Sequence, residues 1–160
     1  MAAHLVGEEL KMATVMDIAN YLLAKASSSE GERSNLSNLK LQKLLYYVQG
    51  FHSVLLDRPA FDDRMEAWMH GPVVPSVYHH YKAHGNGHIP AAMPVEAIEI
   101  DDQTAELIDE VFDVYAKHSA WHLRNLTHDE DPWINRYDPE MGSSEIKAED
   151  LEAFFPSLLE

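Results

Sequence analysis

The stretch Ser37–Gly50, SNLKLQKLLYYVQG, decides the fold. Apolar side chains recur along it, and along the turn that follows, with the spacing of a helix. One helical face carries Leu41, Leu44, Leu45, Val48, His52 and Leu55. Much of the remaining circumference carries Leu39, Tyr46, Tyr47, Phe51 and Val54. Because a helix that is apolar on most sides is buried on most sides, we predict a central helix, capped by Ser37 or Asn38 and ending near Leu56.

Mostly helical elements are expected on both sides of this central helix. Helix start signals are Thr14 with Asp17, Pro75 before a helix from Ser76 to about His84, Asp101–Asp102, Ser119, Asp131 with Pro132, and Glu149–Asp150. Residues 60–74 and Val95–Ile100 are each compatible with one short strand. We predict a mainly α protein, a single compact bundle of about six helices around a buried central helix, with minor short β-strands. A flexible N-terminal lead over residues 1–12 and one domain over 13–160 complete the prediction.

The composition restricts where the protein acts. The chain has 160 residues, enough for one domain that buries roughly 70% of the surface of its unfolded chain. It has no cysteine, which excludes disulfides, thiolate zinc ligands and cysteine nucleophiles and is typical of the reducing cytoplasm. No apolar run approaches the ~20 residues that span a bilayer, and the N-terminus lacks a signal-peptide pattern. We therefore expect a cytoplasmic protein without a membrane partner.

The charge balance is strongly acidic. The 12 Lys and Arg residues stand against 27 Asp and Glu residues, a formal net charge of −15. Because Lys and Arg contacts to phosphates supply most of the affinity for nucleic acids, we expect no nucleic-acid partner. A basic protein partner is favoured, mainly through faster association. An acidic surface that only keeps the protein soluble explains the charge equally well, so both interpretations stay open.

Several motifs, in order along the chain, resemble those of a known family. They are MDIANY (16–21), NLKLQKLLYY (38–47) with Gln49–Gly50, EAW (66–68), GPVVP (71–75), Val77–Tyr78, SAW (119–121), Leu123, Thr127–His128 and DPW (131–133). Together they run from about Thr14 to Phe155. On these motifs the chain resembles the Panacea domain of bacterial antitoxins, also known as the SocA-like or phage-associated GepA-like domain. The acidic segment 145–160 matches no family motif beyond its final helix.

The resemblance implies a binding function. Antitoxins of this family bind and neutralise a toxin encoded beside them, and the domain occurs with many unrelated toxins. In the SocA-like branch, the antitoxin is a proteolytic adaptor that delivers a replication-inhibiting, sliding-clamp-binding toxin to the Clp unfoldase–protease. The chain is close in length to that branch, so the resemblance implies a protein without catalytic residues whose partners are a cognate toxin and the Clp protease. The alternative is a stoichiometric blocker of the toxin without a proteolytic role.

The polar edge of the central helix holds the first candidate contacts with a toxin. Lys40 and Lys43 lie three residues apart on one helical edge. They either contact a partner or, the interpretation we favour, pair with nearby carboxylates. Gln42 and Gln49 are expected to hydrogen-bond loops packed over the helix, and both are also candidate contact residues.

The segment from Trp68 to Tyr78 holds the remaining candidate contacts. Large aromatic side chains dominate both protein cores and binding hot spots. Trp68 lies beside the rigid turn 71–75 and is expected to be a surface anchor, with His70 and Tyr78 next to it. Trp121, at a helix start, is expected in the core. The candidate toxin-binding residues are therefore Lys40, Gln42, Lys43, Gln49, Trp68, His70 and Tyr78.

The ten histidines support a rival, enzymatic hypothesis. His80 and His84 are four residues apart, and so are His118 and His122, which is the spacing of metal ligands on a helix. Neither pair has the Glu of an H-E-x-x-H site, and the chain has no cysteine, so we expect no metal and no cofactor. A His-dependent or metal-dependent hydrolase would require these pairs and His128 to converge on one pocket.

His128 lies between acidic residues that could take part in acid–base chemistry. Asp129 and Asp131 follow it closely. No nucleophile elbow, P-loop or dinucleotide fingerprint accompanies them. We therefore expect His128 to order the turn 131–133 by hydrogen bonding.

Overall fold

Residues 12–159 are described by a computed structural model. Within them there are seven α-helices: α1 (Val15–Ser27), α2 (Asn38–Leu55), α3 (Pro75–His80), α4 (Asp102–Tyr115), α5 (Ala120–Thr127), α6 (Asp131–Ile134) and α7 (Ala148–Phe154). The strands are β1 (Met65–Trp68), β2 (Gly71–Val73) and β3 (Ser144–Ile146). Short 3₁₀ turns cover Gly31–Ser34, Lys82–His84, Val95–Ala97 and Phe155–Leu159. The predicted mainly α fold is confirmed, whereas the predicted lead over 1–12 lies outside the described residues except for Met12.

Helix α2 is the buried centre of the bundle. It contacts α1, α4, α5 and α7 and strand β2. Its side chains from Leu41 to Val48 are all buried, because neighbouring elements cover it on most sides. Ser37 is the N-cap, and its hydroxyl accepts the backbone N–H of Lys40 at 3.3 Å. The helix ends at Leu55, one residue before the predicted end, and that last leucine is exposed.

His52, on the predicted apolar face of α2, is a hydrogen-bonded core histidine. Its Nδ1 lies 2.7 Å from the carbonyl oxygen of Arg58, and its Nε2 lies 2.8 Å from the hydroxyl of Thr104 on α4. Burial lowers the pKa of His52. A neutral imidazole with both ring nitrogens bonded therefore ties the end of α2 to α4.

The small sheet is antiparallel, in the order β2-β1-β3. Trp68 pairs with Gly71 at the hairpin turn between β1 and β2, while Met65 pairs with Ile146 on the other side of β1. The sequence pattern predicted one short strand within residues 60–74, and the structure has two. The hairpin turn is possible because Gly71 has a φ of +109°, a conformation that side-chain-bearing residues rarely adopt.

Three local predictions are wrong in detail. The predicted strand at Val95–Ile100 is a 3₁₀ turn, because its apolar side chains pack against the helices and not beside another strand. Helix α3 ends at His80, and a 3₁₀ turn continues to His84. The N-cap of α6 is Glu130, so that Asp131 lies in its first turn.

The C-terminal helix closes the bundle over α2. Phe155, which follows α7, is fully buried, and its ring lies edge-on to Tyr46 with centroids 5.3 Å apart. The contact depends on Gly50, because a Cβ at that position would overlap the Phe155 ring. The interhelical contact thus explains the small residue in the middle of an otherwise bulky helix. No helix within residues 12–159 has the length and apolar character needed to cross a bilayer.

Candidate partner-binding surface

Two polar side chains of α2 hold the β1–β2 hairpin in place. The Lys43 ammonium donates to the carbonyl oxygen of Pro72 at 3.0 Å, and the Gln42 side-chain oxygen accepts the backbone N–H of Val74 at 2.8 Å. Both side chains are buried. Burial, assisted by the positive charge of Arg124, lowers the pKa of Lys43 to about 7. Lys43 has no carboxylate partner among residues 12–159, so its predicted ion pair is wrong.

Asn38 extends the same network to helix α3. Its side-chain amide donates to the carbonyl oxygen of Tyr78 at 3.0 Å, and its oxygen accepts from the Gln42 amide at 2.9 Å. One buried chain of hydrogen bonds therefore positions both the hairpin and the first turns of α3 relative to the central helix. Buried polar groups that are fully bonded in this way specify one arrangement of the elements around them.

The hairpin and α3 present a row of aromatic side chains to solvent. Trp68 is half-buried, and its ring lies edge-on to Tyr78 with centroids 5.0 Å apart. The indole N–H of Trp68 donates to Glu66 at 2.9 Å. His70 is exposed at the hairpin turn, beside Met69, which is 60% exposed. The predicted surface position of Trp68 is thus partly realised, with one edge of the ring packed.

Helix α5 extends this row. Trp121 is 53% exposed, so the predicted core position is wrong. The buried face of α5 carries Leu123 and Thr127, and Trp121 lies two residues before Leu123, about 200° away around a helix. The Trp121 ring lies 5.5 Å from that of His70, and the guanidinium carbon of Arg124 lies 4.5 Å from the Trp121 ring centroid. We call Trp68, His70, Tyr78, Trp121 and Arg124 the aromatic surface.

Trp133, on α6, anchors the aromatic surface through Trp68. Its indole N–H donates to the carbonyl oxygen of Trp68 at 2.7 Å. Its ring stacks on His128 with centroids 3.8 Å apart and on Tyr137 at 4.7 Å. His128 therefore orders the 131–133 turn by stacking; within residues 12–159 neither ring nitrogen hydrogen-bonds that turn, so the expected hydrogen bond is wrong.

Two candidate residues of α2 lie away from the aromatic surface. Lys40 is buried; its ammonium donates to the Glu32 carbonyl oxygen at 2.5 Å and pairs with the Glu32 carboxylate at 3.5 Å. The Gln49 side chain accepts from Ala60 N–H at 2.8 Å and donates to the carbonyl oxygen of Phe61 at 2.8 Å. The predicted carboxylate pair of Lys40 and the predicted loop bonds of both glutamines are confirmed.

One buried carboxylate, Glu130, was not predicted from the sequence. Glu130 is only 9% exposed and accepts the hydroxyl groups of Tyr46 at 2.8 Å and Tyr47 at 3.0 Å. Burial raises the pKa of Glu130 to about 7. The neighbouring acids Asp129 and Asp131, to which the sequence drew attention, are exposed. The sequence contained a signal for this carboxylate. Tyr46 and Tyr47 lie on a helix predicted to be buried, and buried tyrosines need hydrogen-bond partners for their hydroxyl groups.

The five histidines of the enzymatic hypothesis, all within residues 12–159, do not form one site. His118 and His122 stack on each other at 4.4 Å, His80 and His84 flank the ring of Tyr81, and His128 stacks on Trp133. No group of three or more His, Cys, Asp or Glu residues within 12–159 is placed to hold a metal ion. An open groove of about 780 Å³ lies between the end of α2 and α7, and none of the histidines in the described part of the chain lines it.

Comparison with known proteins identifies the family to which the chain belongs. The family described as Antitoxin SocA-like, Panacea domain matches residues 41–134, more than half of the chain, and this range includes the whole aromatic surface. Antitoxin SocA of Caulobacter vibrioides (strain NA1000 / CB15N) is 43% identical over 72 residues, which are 45% of this chain and 37% of that protein. The match thus spans well under two thirds of that relative's length. No solved structure matches the chain. The chain therefore belongs to the SocA-like antitoxin family of Panacea-domain proteins.

Proposed function

We propose that this protein is the antitoxin of a bacterial toxin–antitoxin system, and that it neutralises its cognate toxin in the cytoplasm by binding it. The observation that carries the proposal is the family match over residues 41–134, which contain both the central helix and the aromatic surface. The similarity to Antitoxin SocA supports the same role. A binding protein of this kind needs no catalytic residue, and an enzymatic role would require a converged set of reactive side chains.

The aromatic surface is the proposed contact with the toxin. Trp, Tyr and Arg are the residue types that most often dominate the energy of protein interfaces. Trp68 and Tyr78 offer large rings at low entropic cost, because their neighbours already restrict them. His70 lies beside them at the turn. Lys43 and Gln42, which are buried, then contribute by positioning the hairpin.

Lys40 and Gln49 have a different place in the proposal. Lys40 holds the turn before α2 through Glu32, and Gln49 holds the loop after α2 through Ala60 and Phe61. We propose that both support the scaffold and do not touch the toxin.

The proposed mode of neutralisation is proteolytic. By analogy with the SocA-like branch, the protein would hold a replication-inhibiting toxin that binds the sliding clamp and deliver it to the Clp unfoldase–protease. This mechanism needs one surface for the toxin and another for the unfoldase. The alternative within the same family role is a stoichiometric blocker, which needs only the first surface.

Reconstitution separates these two modes. The protein encoded beside this chain, used as the toxin, is incubated with Clp unfoldase–protease and ATP, with and without this protein. Toxin loss only in the complete mixture supports the adaptor. A stable complex with intact toxin in the complete mixture supports the blocker, and the absence of any complex contradicts the antitoxin role.

A second experiment tests the contact surface. Trp68→Ala, His70→Ala and Tyr78→Ala are expected to weaken toxin binding, measured by titration calorimetry, by about tenfold each or more. Met141→Ala is the control, because Met141 is also a large exposed apolar residue but lies outside the aromatic surface. Circular dichroism reports whether each variant is folded. Wild-type affinity in folded variants of all three positions would rule out this surface.

A further inference from the structure

Within residues 12–159, Arg124 is an arginine without a carboxylate partner, on a protein with a strongly acidic composition. Its Nε–H points to His70 Nδ1 at 3.4 Å, and its Nη1 donates to the Asn125 side-chain oxygen at 3.1 Å. Neither acceptor is charged. Arg58, Arg64 and Arg136 pair with Asp or Glu. Arg33 donates to the backbone carbonyl oxygen of Asp113 at 2.8 Å and, like Arg124, makes no ion pair within residues 12–159. Within residues 12–159, Arg124 makes no ion pair, although it lies at the surface.

The surroundings of Arg124 favour an incoming anion. The guanidinium lies over the Trp121 ring, and within residues 12–159 its Nη2 makes no hydrogen bond, so that an incoming carboxylate can accept from Nη2 and from the second N–H of Nη1. The Lys43 amine lies behind the hairpin, and the charges of Lys43 and Arg124 both lower the pKa of His70 after the larger effect of its own burial. Arg124 therefore places a positive charge at this surface of a molecule whose formal net charge is −15.

The same place exposes large apolar side chains. Met69 and Trp121 are 60% and 53% exposed, on the hairpin turn and on α5. Contacts through His70 join the turn to α5. An apolar contact area with one unpaired guanidinium at its centre has the composition of an interface hot spot. A polyanion such as nucleic acid does not fit, because the acidic remainder of the molecule repels it.

We propose that Met69, His70, Trp121 and Arg124 bind a segment of the cognate toxin in which a carboxylate lies next to a large apolar side chain. The carboxylate pairs with the Arg124 guanidinium, and the apolar side chain packs on Trp121 and Met69. This inference rests on the proposed antitoxin function and specifies the chemistry of the toxin segment. It also makes Trp121 and Arg124 the centre of the contact. Trp68, His70 and Tyr78, which were candidates from the sequence, lie beside them.

The experiment uses the full chain and the purified protein encoded beside it. Arg124→Gln is expected to weaken binding about tenfold or more, and Arg124→Lys nearly as much, because lysine lacks the planar fork. Trp121→Ala is expected to weaken binding to a similar degree. Lys147→Gln removes an exposed positive charge in the groove beside α7 and is expected to change affinity less than about twofold. Thermal unfolding verifies that each variant is folded.

Removing the negative charges of the toxin one at a time identifies the carboxylate that pairs with Arg124. Each Asp and Glu of the toxin is replaced by Asn or Gln, and each variant is measured against wild type and Arg124→Gln. The inference predicts one carboxylate whose loss no longer matters once Arg124 is replaced. Equal affinity of wild type and Arg124→Gln for the toxin overturns the inference and leaves the antitoxin proposal standing. No binding by the wild-type protein overturns both, and binding of a DNA oligonucleotide through Arg124 overturns the inference.

Discussion

At the scale of single residues, the unusual feature is a carboxylate buried against two tyrosines. Glu130 has a pKa near 7 because burial disfavours its charged form more than the two hydroxyl groups favour it. In the unfolded chain a glutamate has its ordinary pKa of 4.5. As the pH rises from 4.5 through 7, the unfolded chain releases this proton before the folded protein does. The contribution of Glu130 to stability is therefore present at acid pH and is lost as the pH rises through 7.

Glu130→Gln removes this pH dependence. Because the shift corresponds to about 3 kcal/mol, the free energy of unfolding of wild type relative to the variant is expected to fall by about 2–3 kcal/mol between pH 5 and pH 8. Urea unfolding at a series of pH values measures this difference. Glu106→Gln, at an exposed position on α4, is the control, and its free energy of unfolding should change with pH in the same way as that of wild type. Parallel curves for Glu130→Gln would contradict the burial argument.

At the scale of elements, the β1–β2 hairpin depends on a glycine at its turn. Gly71 has a φ of +109°, and a Cβ there would lie 2.6 Å from Lys43 Cε and 2.8 Å from the Thr127 hydroxyl. The hairpin therefore approaches α2 and α5 as closely as a backbone without a side chain allows. This close approach places Trp68 and His70 beside α5.

Gly71→Ala is expected to destabilise the protein by about 2 kcal/mol or more, because backbone strain and overlap act together. Gly85→Ala is the matched control: its φ is +58° but nothing lies within 4 Å of a Cβ, so only the cost of the backbone conformation, on the order of 1–3 kcal/mol, remains, and Gly71→Ala is expected to lose more stability. Urea unfolding compares the two variants. Equal losses of stability would show that the overlap with Lys43 and Thr127 is relieved without cost.

The packing of the C-terminal helix on α2 leads to an expected coupling. Gly50→Ala should improve helix propensity by about 1 kcal/mol, but the overlap with Phe155 costs about 1–3 kcal/mol. The substitution is therefore expected to destabilise wild type and to be neutral or stabilising when Phe155 is Leu. A double-mutant cycle of unfolding free energies measures this coupling. The same effect of Gly50→Ala in both backgrounds would contradict the packing argument.

At the scale of the whole molecule, we propose that residues 13–160 form the domain. A chain that begins at residue 13 is expected to unfold with the same free energy as the full chain, since the capping box of Thr14 and Asp17 remains intact. A chain that ends at residue 147 loses the buried side chains of Leu151 and Phe155, which contribute several kcal/mol together. Calorimetry should therefore show cooperative unfolding for the first and a strongly lowered Tm for the second. A lower Tm for the chain that begins at residue 13 than for the chain that ends at residue 147 would contradict the proposed boundary.

Charge acts at the whole-molecule scale as well. The acidic composition is the reason to expect no nucleic-acid partner, and it makes the positive charge of Arg124 at the aromatic surface a local exception. A partner with a basic surface would approach quickly and then meet one site that accepts a carboxylate. Long-range steering and local specificity would thus come from opposite charges on the same protein.

The sequence by itself determined most of the helices and several of their caps. Thr14, Ser37 and Ser119 each cap the helix that the apolar period predicted, because capping and periodicity depend on residues within a few positions. The family motifs also contained Trp68 and Tyr78, whose rings meet with centroids 5.0 Å apart, and the segment between them contained His70, which is exposed at the hairpin turn.

Only the tertiary structure decided which polar and aromatic side chains face inward. The acceptor of Lys43 lies 29 residues along the chain, and Tyr46 meets Glu130 from 84 residues away. Partners so far apart in the chain cannot be recognised from a local sequence pattern. A lysine on a helix is therefore predicted to be solvent-exposed unless the carbonyl oxygen that accepts from its ammonium group is known. Trp121 turned outward for the same reason, because the buried face of a short helix is decided by the elements that pack on it.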